Sequence, residues 1–473
     1  MKNNPRSLAL GLGLLLLTGA AAMSFGAEPR RPNVLLIIAD DLTKTLPCYG
    51  YPLAQAPNVA RLAARAVRFD RAYCQYPLCL PSRASFLSGL RPERTGRLGN
   101  EGAARRNPRL GSTLFLPQHF KANGYFTARL GKVFHLGADV PECWDVTEEG
   151  TPGQEVVNTG AEPAKLGLTG YIVAHHEFGR NGDATGGGEG ATYSVLNGGQ
   201  DRLIDVRNGR RAAELIAEHA DRAQPFFLAC GFRRPHQPHL APAEFFDRYP
   251  ADQMPLPAGG GPVIPGIKRP VSADDSREAL RGYLASVTFM DAQLGRVLDA
   301  LDAHGLWDNT IVVLLGDHGY LLGSRGGWWG KNVLYDEAAS TVLLVAAPGK
   351  TQGAGSSRVV EFIDLYPTLG DLCGLPAPAG VDGRSFAPLL AEPTAPWEHA
   401  AYTVVAAQGK PVGLAVSTER FRYLENADGS QELFDIQADP REWVNLAAQP
   451  THAADLALLK DLAAGYKHKF RSQ

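Results

Sequence analysis

Three short, almost entirely apolar runs place the strongest constraint on how this 473-residue chain can fold. They span residues 34–38, 225–231 and 310–315, and none shows the alternation of apolar and polar residues that marks a strand with one face in water. Continuous apolar runs of this length are typical of strands in a parallel sheet that helices cover on both faces. The sequence therefore predicts an α/β protein with a large, mostly parallel central sheet flanked by helices.

Acidic and histidine residues follow each of these runs. Asp40 and Asp41 come directly after the first, His236 a few residues after the second, and Asp317 and His318 soon after the third. Because parallel strands bring their carboxyl ends to one edge of a sheet, where α/β proteins bind ligands, we expect these side chains to lie together. Three carboxylates favour a hard cation with oxygen ligands, Ca²⁺ ahead of Mg²⁺. One histidine beside the carboxylates, with no set of thiolates, disfavours zinc.

A helix is predicted to follow Cys79. Pro81 suits the first position of a helix, where its missing N–H costs nothing, and the apolar Phe86 and Leu87 can continue the helix inward. Cys79 would then lie at the helix amino terminus, where free N–H groups and the positive end of the dipole favour an anionic ester group. A lone cysteine is by itself more often a small buried side chain than a nucleophile.

The run that begins at Cys79 resembles the maturation signature of the type I sulfatases. The positions that agree are Cys79, Pro81, Ser82, Arg83, Leu87, Ser88 and Gly89. In that family the cysteine is oxidised after translation to formylglycine, an aldehyde whose hydrate is the nucleophile. The resemblance implies an alkaline-phosphatase-like fold with a small C-terminal antiparallel sheet, and it implies sulfate ester hydrolysis. It also implies a partner that converts Cys79, either a formylglycine-generating enzyme or an anaerobic sulfatase-maturating enzyme.

Further motifs resemble the same family, and its iduronate-2-sulfatase branch in particular. Residues 131–135 contain Lys132 and His135, residues 233–238 contain His236, and residues 329–331 end in Lys331. The resemblance implies that Arg83 and Lys132 hold the hydrated aldehyde, with His135 beside them. It implies that Lys331 binds a sulfuryl oxygen and that His236 protonates the departing sugar oxygen. The residues implied to form the metal site are Asp40, Asp41, Cys79, Asp317 and His318.

The same branch implies a substrate, a 2-O-sulfated uronic acid in a sulfated saccharide. Ser324 and Arg325 stand where the family commonly has glutamate and histidine, which weakens the transfer of the sugar's identity. Two alternatives stay open: a phosphodiester or phosphonate monoester hydrolase of the same superfamily, and a protein that binds sulfated glycans with Cys79 unconverted. The net charge of −2 gives no indication of a nucleic-acid partner, so local basic residues must meet an anionic substrate.

The two ends of the chain predict export and a second subdomain. Lys2 and Arg6 precede an apolar stretch at 8–22 that is too short to span a bilayer, so residues 1–27 are predicted to be a signal peptide. A membrane anchor is the alternative. Removal of the signal would leave no membrane span and a periplasmic or extracellular protein. Residues 28–376 are predicted to form the catalytic domain, with either an irregular insertion or a disordered segment at 144–200. Residues 377–473 are predicted to form an α+β subdomain with short antiparallel strands.

Overall fold

The fold is described for residues 1, 30–100, 114–135, 138–148, 167–178, 191–264, 271–407 and 410–471 of a computed structural model. Apart from Met1, the predicted signal peptide lies outside these residues. Among the described residues, no helix is both long enough and apolar enough to cross a membrane. Residues Arg31–Gln473 form one compact unit.

The central sheet has eight strands, most of them parallel. The strands of the described residues are β1 Asn33–Ala39, β2 Val67–Tyr73, β3 Phe126–Gly131, β4 Val146–Glu148, β5 Ile172–Phe178, β6 Ala191–Leu196, β7 Phe226–Phe232, β8 His239–Pro242, β9 Thr310–Gly316, β10 Leu321–Gly323, β11 Trp328–Gly330, β12 Leu343–Ala346, β13 Ala354–Glu361, β14 Ala401–Ala407, β15 Lys410–Ser417, β16 Phe421–Glu425 and β17 Gln431–Asp435. The sheet order is β13-β2-β12-β9-β1-β7-β3-β4, and β12 alone runs antiparallel to its neighbours in it. The predicted fold class is confirmed.

Helices cover both faces of this sheet. The longer ones are α1 Pro57–Ala63, α2 Cys79–Ser88, α3 Leu116–Ala122, α4 Ile204–His219, α5 Ala273–Ala303, α6 Leu365–Leu372 and α7 Ala453–Arg471. Shorter helical turns are Pro47–Tyr49, Pro92–Thr95, Pro141–Cys143, Thr169–Tyr171, Gln200–Arg202, Ala243–Phe246, Ala251–Gln253, Trp307–Asn309, Ser324–Gly327, Asp336–Ala339, Phe362–Asp364, Ala387–Ala391 and Pro450–His452. The longest helix, α5, begins after Ser272, whose hydroxyl accepts a hydrogen bond from Asp275 N at 3.1 Å and caps the helix.

Two hydrophobic cores explain why the central strands are apolar throughout. Leu35 and Ile37 of β1 belong to the core that contains the apolar stripe of α5. Leu36 and Ile38 belong to the opposite core, together with Phe86 of α2 and the apolar residues of α6. Because successive side chains of a strand point to opposite faces, a strand between two cores needs no polar positions.

The described residues also form three smaller sheets. Strands β14 to β17 are the four antiparallel strands predicted near the C terminus, and the predicted helix after them is α7. Strands β5 and β6 pair antiparallel, and β6 pairs with β8. Both lie within 144–200, so the prediction of an irregular insertion is wrong for these residues; their weak apolar periodicity concealed the strands. Segments 149–166 and 179–190 lie outside the described residues.

A buried ion pair ties the C-terminal strands and helix to the rest of the chain. Arg91 donates to both oxygens of Glu361, at 2.8 Å and 2.5 Å. The rings of Tyr402, Tyr466 and Phe470 lie 5.2, 5.2 and 5.7 Å from the guanidinium carbon of Arg91. These aromatic rings come from β14 and α7. Cation–π contacts and the two-point carboxylate contact thus hold both elements against β13.

His399 adds a second positive charge beside this pair. Its Nε2 lies 3.4 Å from Glu361 Oε2 and 3.3 Å from Asp364 Oδ2. Burial alone would lower the pKa of His399, but the carboxylates of Asp364 and Glu361 raise it from 6.5 to about 10. A raised pKa in the folded state stabilises the protein fully below the unfolded-state value, and this stabilisation is lost as the pH rises through the folded-state value.

Replacing His399 with glutamine is therefore expected to destabilise the protein at low pH and much less at high pH. We expect a loss of about 1–2 kcal/mol near pH 6, shrinking as the pH approaches 10. Denaturant unfolding of both proteins across this range measures the difference. His452→Gln serves as the control, because the pair of His452 with Asp455 is partly exposed and contributes little. An equal loss at both ends of the pH range would contradict the prediction.

Candidate active site

The strand ends place the predicted acidic residues side by side. Ala39, the last residue of β1, lies opposite Phe232 of β7 and Gly316 of β9 in the parallel register. Asp40 and Asp317 therefore leave the sheet from neighbouring strands at the same level. The backbone N–H of Asp40 donates to Phe232 O at 3.1 Å, which keeps Asp40 aligned with β7. Both carboxylates are fully buried.

Cys79 is the first residue of α2, two positions earlier than predicted. The predicted first position, Pro81, is the third residue of the helix, where its missing N–H would still have no partner within the helix. Leu78 precedes the helix in an extended conformation, and the side chain of Asn100 accepts a hydrogen bond from Leu80 N at 3.0 Å. Cys79 is fully buried. The helix thus brings its amino terminus, and with it Cys79, to the edge of the sheet.

The thiol of Cys79 lies among charged and polar groups that follow β1, β9 and β11. Its Sγ lies 3.2 Å from Lys331 Nζ, 3.3 Å from His318 Nε2 and 3.6 Å from Asp40 Oδ1. Burial, with the neighbouring charge of Asp40, raises the pKa of the Cys79 thiol to about 12. The unmodified thiol is therefore protonated at neutral pH.

Arg83 links two of the carboxylates to each other. Its Nε donates to Asp317 Oδ2 at 2.9 Å and its Nη2 to Asp40 Oδ1 at 3.3 Å. Its Nη1 donates to the backbone carbonyls of Lys132, and of Val133 at 3.1 Å, just after β3. Because α2 places Arg83 one turn after Cys79, the same helix positions the thiol and balances the charge beneath it.

Two lysines complete the charge balance. Lys331 Nζ lies 2.6 Å from Asp41 Oδ1, and Lys132 Nζ forms an ion pair with Asp40. Burial would raise the pKa of Asp40, but the positive charges of Lys132 and Arg83 hold it well below its usual range. Burial raises the pKa of Asp41 to about 7 although Lys331 opposes the shift. In the absence of another cation, the charged form of Asp41 is therefore less stabilised than that of Asp40.

Each of the two buried histidines lies near one of these carboxylates. His236 Nε2 lies 3.8 Å from Asp41 Oδ2, and His318 Nε2 lies 3.5 Å from Asp317 Oδ2. His236 Nδ1 is 2.6 Å from Gln237 O, and His318 Nδ1 is 2.9 Å from the backbone carbonyl of the following glycine. Each Nδ1 is therefore the donor, which directs the unprotonated Nε2 of each ring into the site. Burial lowers the pKa of both histidines.

The arrangement fits a divalent cation. Candidate ligand atoms of Asp40, Cys79, Asp317 and His318 lie within 4.8 Å of one another, and so do those of Asp40, Asp41, Cys79 and His236. Each set contains two carboxylates, and all of these residues are buried. Hard cations such as Ca²⁺ prefer this donor chemistry.

Comparisons with known proteins agree with this geometry. The model of the family described as Sulfatase matches residues 32–375, which contain every residue of the site. The chain belongs to the sulfatase family. The family establishes that the protein is a sulfatase, an enzyme that hydrolyses sulfate esters. A second model, described as N-sulphoglucosamine sulphohydrolase, C-terminal, matches residues 324–467.

Two relatives and one solved structure are similar to this chain. A Sulfatase of Formosa agariphila is 32% identical and covers 96% of this chain and 90% of its own. Iduronate 2-sulfatase of Homo sapiens is 31% identical and covers 80% of this chain and 76% of its own. The crystal structure of a phosphonate monoester hydrolase of Agrobacterium radiobacter has a TM-score of 0.74 at 21% identity, covering 93% of this chain and 96% of that one. At that identity the likeness concerns the fold alone.

The fold brings most of the predicted site residues of this sulfatase together. The residues joined by the contacts above are Asp40, Asp41, Cys79, Arg83, Lys132, His236, Asp317, His318 and Lys331. His135 lies four residues beyond the end of β3 and is half-buried. Its catalytic role stays a prediction.

Arg325, one of the residues that depart from the family pattern, binds elsewhere. It is buried, and it donates to Glu337 at 2.8 Å and to Glu442 at 3.2 Å. Its guanidinium carbon lies 3.6 Å from the ring centre of Tyr335. Arg325 therefore fastens the turn before β11 to the C-terminal subdomain, and these contacts are structural.

Two residues that position the site were missed by sequence reasoning. Asp205, in the first turn of α4, accepts hydrogen bonds from Arg233 N at 2.7 Å and Arg234 N at 2.9 Å, and so anchors the start of the His236 loop. Tyr283 of α5 donates to the backbone carbonyl that follows β1. An acidic residue in the first turn of a helix is a weak signal. The sequence gives no sign of the role of Tyr283, because its position fits the apolar stripe of the helix.

Proposed function

We propose that this sulfatase acts through a formylglycine made from Cys79 and through a bound divalent cation, Ca²⁺ in preference to Mg²⁺. The observation that supports it best is the position of Cys79, within 3.6 Å of a lysine, a histidine and a carboxylate that the fold buries together. A group at position 79 can thus contact both a bound sulfate ester and a metal ligand. The residues that would hold the cation are Asp40, Asp41, Asp317, His318 and the modified residue Cys79.

The cation and the modified residue would supply the chemistry that ordinary side chains lack. When bound, the cation lowers the pKa of a hydroxyl at position 79 and stabilises negative charge on the sulfate oxygens. The hydrated aldehyde at position 79 supplies the hydroxyl that attacks sulfur, and its second hydroxyl gives a route for expelling sulfate. The remaining steps belong to the side chains around it.

Cationic side chains bind the sulfate and balance charge. Lys331 Nζ, 3.2 Å from the side-chain atom at position 79, is placed to bind a sulfuryl oxygen. Lys132 reaches the same position through its contact with Asp40, and with His135 beside it neutralises charge that develops there. Each guanidinium nitrogen of Arg83 already has a carboxylate or carbonyl partner. Arg83 therefore acts by fixing the carboxylates around residue 79 and by stabilising negative charge that develops on that residue.

His236 is proposed as the general acid. Its Nδ1 is engaged by a backbone carbonyl, so the ring presents Nε2 to the site beside Asp41. A proton on Nε2 can be donated to the oxygen of the departing alcohol as the S–O bond breaks. Burial lowers the pKa of His236, and the negative charge of a bound sulfate ester would raise it again.

The proposed substrate is a 2-O-sulfated uronic acid within a sulfated saccharide. Support comes from the motifs around Lys132, His135 and His236, and from the 31% identity to human iduronate 2-sulfatase over 80% of the chain. The relative from Formosa agariphila is named only as a sulfatase, so family membership leaves the sugar open. The buried cationic side chains at the edge of the sheet suit any anionic ester, so the sugar must be identified by assay.

Export and maturation are part of the proposal. The basic residues Lys2 and Arg6 and the apolar stretch at 8–22 support a signal peptide at 1–27 and a periplasmic or extracellular location. The sequence from Cys79 to Gly89 supports recognition by a formylglycine-generating or anaerobic sulfatase-maturating enzyme. The six cysteines are all free thiols in the structure, so no disulfide competes for Cys79.

Conversion of Cys79 and hydrolysis of sulfate esters are tested together. In protein produced with a maturation enzyme, mass spectrometry of the peptide that contains residue 79 should show sulfur replaced by oxygen and two hydrogens lost. The converted protein should hydrolyse nitrophenyl sulfate faster than an aryl phosphonate, and should release sulfate from 2-O-sulfated uronic acid in a panel of defined saccharides.

The control is Cys79→Ala, which should lose activity on every substrate. Faster hydrolysis of the phosphonate would favour the phosphonate monoester hydrolase. An unconverted Cys79 with retained saccharide binding would favour the binding protein. Turnover confined to 6-O- or N-sulfated glucosamine would contradict the proposed sugar but not the proposed chemistry.

Metal dependence provides a second test. Asp317→Ala should lose bound Ca²⁺ and activity together, because it removes a ligand and leaves Arg83 with one carboxylate partner fewer. Elemental analysis and kcat on nitrophenyl sulfate measure the two effects. Asp291→Asn is the matched control, since Asp291 is also a buried carboxylate but accepts hydrogen bonds from the start of α1. Full activity of the wild-type enzyme after exhaustive chelation, with no metal detected, would refute the site.

Two substrates with different leaving groups test whether His236 is the general acid. A sugar alkoxide needs a proton in the transition state, whereas nitrophenolate does not. His236→Ala should therefore lose about 10²–10⁴-fold in kcat/KM on a sugar sulfate and far less on nitrophenyl sulfate. Cys79→Ala should lose both equally, because attack on sulfur is common to them. Equal losses in the His236 variant would remove it from the acid role and leave Lys331 as the next candidate.

A further inference from the structure

The side chain of Tyr283 contacts the loop after β1, the first residue of β8 and the loop after β9. It projects from the middle of α5 and is fully buried. We infer that Tyr283 is a positioning residue, which fixes the loops after β1, β7 and β9 relative to one another and thereby places the Asp41 carboxylate. The inference rests on the proposed function, because it concerns the metal site proposed above.

The hydroxyl of Tyr283 acts on the loop after β1. It donates to Asp41 O at 2.8 Å and accepts a hydrogen bond from Thr43 N at 2.9 Å. Asp41 lies between β1 and these bonds in the left-handed region, with φ of 62°. This conformation is uncommon for a residue with a Cβ, although aspartate adopts it more readily than most, and surrounding contacts help to hold it. The two bonds of the Tyr283 hydroxyl are such contacts, and they orient the carboxylate that follows Asp40.

The ring of Tyr283 acts on the other two loops. It meets the ring of His239 edge to face, with centroids 5.5 Å apart at 88°. His239 Nδ1 in turn lies 2.7 Å from Pro235 O, next to His236. On its other side, Tyr283 lies parallel to Tyr320, with centroids 6.5 Å apart at 13°. Tyr320 comes two residues after His318, so the ring lies between the loops of the two histidines.

The two parts of this side chain predict different losses. Tyr283→Phe removes only the hydroxyl, so it should displace Asp41 and leave the two histidine loops in place. Tyr283→Leu also removes the ring and should disturb all three loops. The phenylalanine variant should therefore weaken metal binding while the ratio of activities on sugar sulfate and nitrophenyl sulfate, which reports on His236, stays as in the wild type.

Tyr249 offers a matched control, because its hydroxyl also contacts α5. It is also buried, and its hydroxyl lies 2.5 Å from Thr288 Oγ1 of α5 and accepts a hydrogen bond from Gln55 N at 2.8 Å. Gln55 lies between the helical turn Pro47–Tyr49 and α1, on the far side of that turn from Asp40 and Asp41. Tyr249→Phe thus removes a similar pair of bonds and should lower stability to a similar degree, without reaching the metal site.

The experiment compares Tyr283→Phe, Tyr249→Phe and the wild type, each as the full converted chain. Titration with CaCl₂ in a calorimeter gives the Ca²⁺ affinity, thermal unfolding in chelator gives the stability without metal, and nitrophenyl sulfate gives kcat and KM. We expect similar losses of Tm in the two variants. Only Tyr283→Phe should weaken Ca²⁺ binding, by about 5- to 10-fold, and lower kcat by a similar factor with KM little changed.

Asp317→Ala, measured in the same series, separates the two levels of the proposal. If it retains Ca²⁺ binding and kcat, the proposed site is wrong. If it loses both while Tyr283→Phe behaves like Tyr249→Phe, the site stands and the positioning role of Tyr283 is refuted. A parallel fall in stability, affinity and kcat in both tyrosine variants would likewise refute it, since it would show a general effect of losing a buried hydroxyl.

Discussion

Burying charge without leaving any of it unpaired is the constraint on which this structure depends. Three carboxylates lie beyond the carboxyl ends of β1 and β9, and three cationic side chains meet them: Arg83 from α2, Lys132 from the end of β3 and Lys331 from the end of β11. Removing one partner of such a pair leaves an uncompensated charge in a medium that solvates it poorly. The parallel register of the central strands therefore determines which charged side chains become neighbours.

A similar use of buried charge attaches the C-terminal subdomain. Arg91 pairs with Glu361 among aromatic rings, and Glu442 receives both Arg325 and Arg422. Buried pairs of this kind are weak evidence for stability, since desolvation offsets much of their attraction. These pairs nevertheless select one orientation of the subdomain. Any other orientation would separate the partners and leave several buried charges unpaired. Arg325, which departs from the family pattern, attaches the turn before β11 to the subdomain in this way.

The sequence predicted the elements whose signals are local and missed those that depend on distant packing. Continuous apolar runs identified β1, β7 and β9, and the polar residues after them predicted the cluster of buried carboxylates and histidines, because strand direction alone brings these ends together. The start of α2 was placed two residues late, since Pro81 is tolerated throughout the first turn. Strands β5 and β6 escaped notice for lack of periodicity. Tyr283 escaped because its hydrogen bond joins residues 242 positions apart, which no local pattern encodes.

The burial of α2 has a consequence for the order of events in the life of the chain. Every residue from Cys79 to Ser88 is buried, and the helix contacts both the sheet edge and the opposite core. Under the proposed conversion of Cys79, the maturation enzyme has to reach a side chain that the folded protein buries. The proposal therefore places oxidation before α2 has packed against the sheet. A chain that folds first would keep an unmodified thiol at the amino terminus of α2.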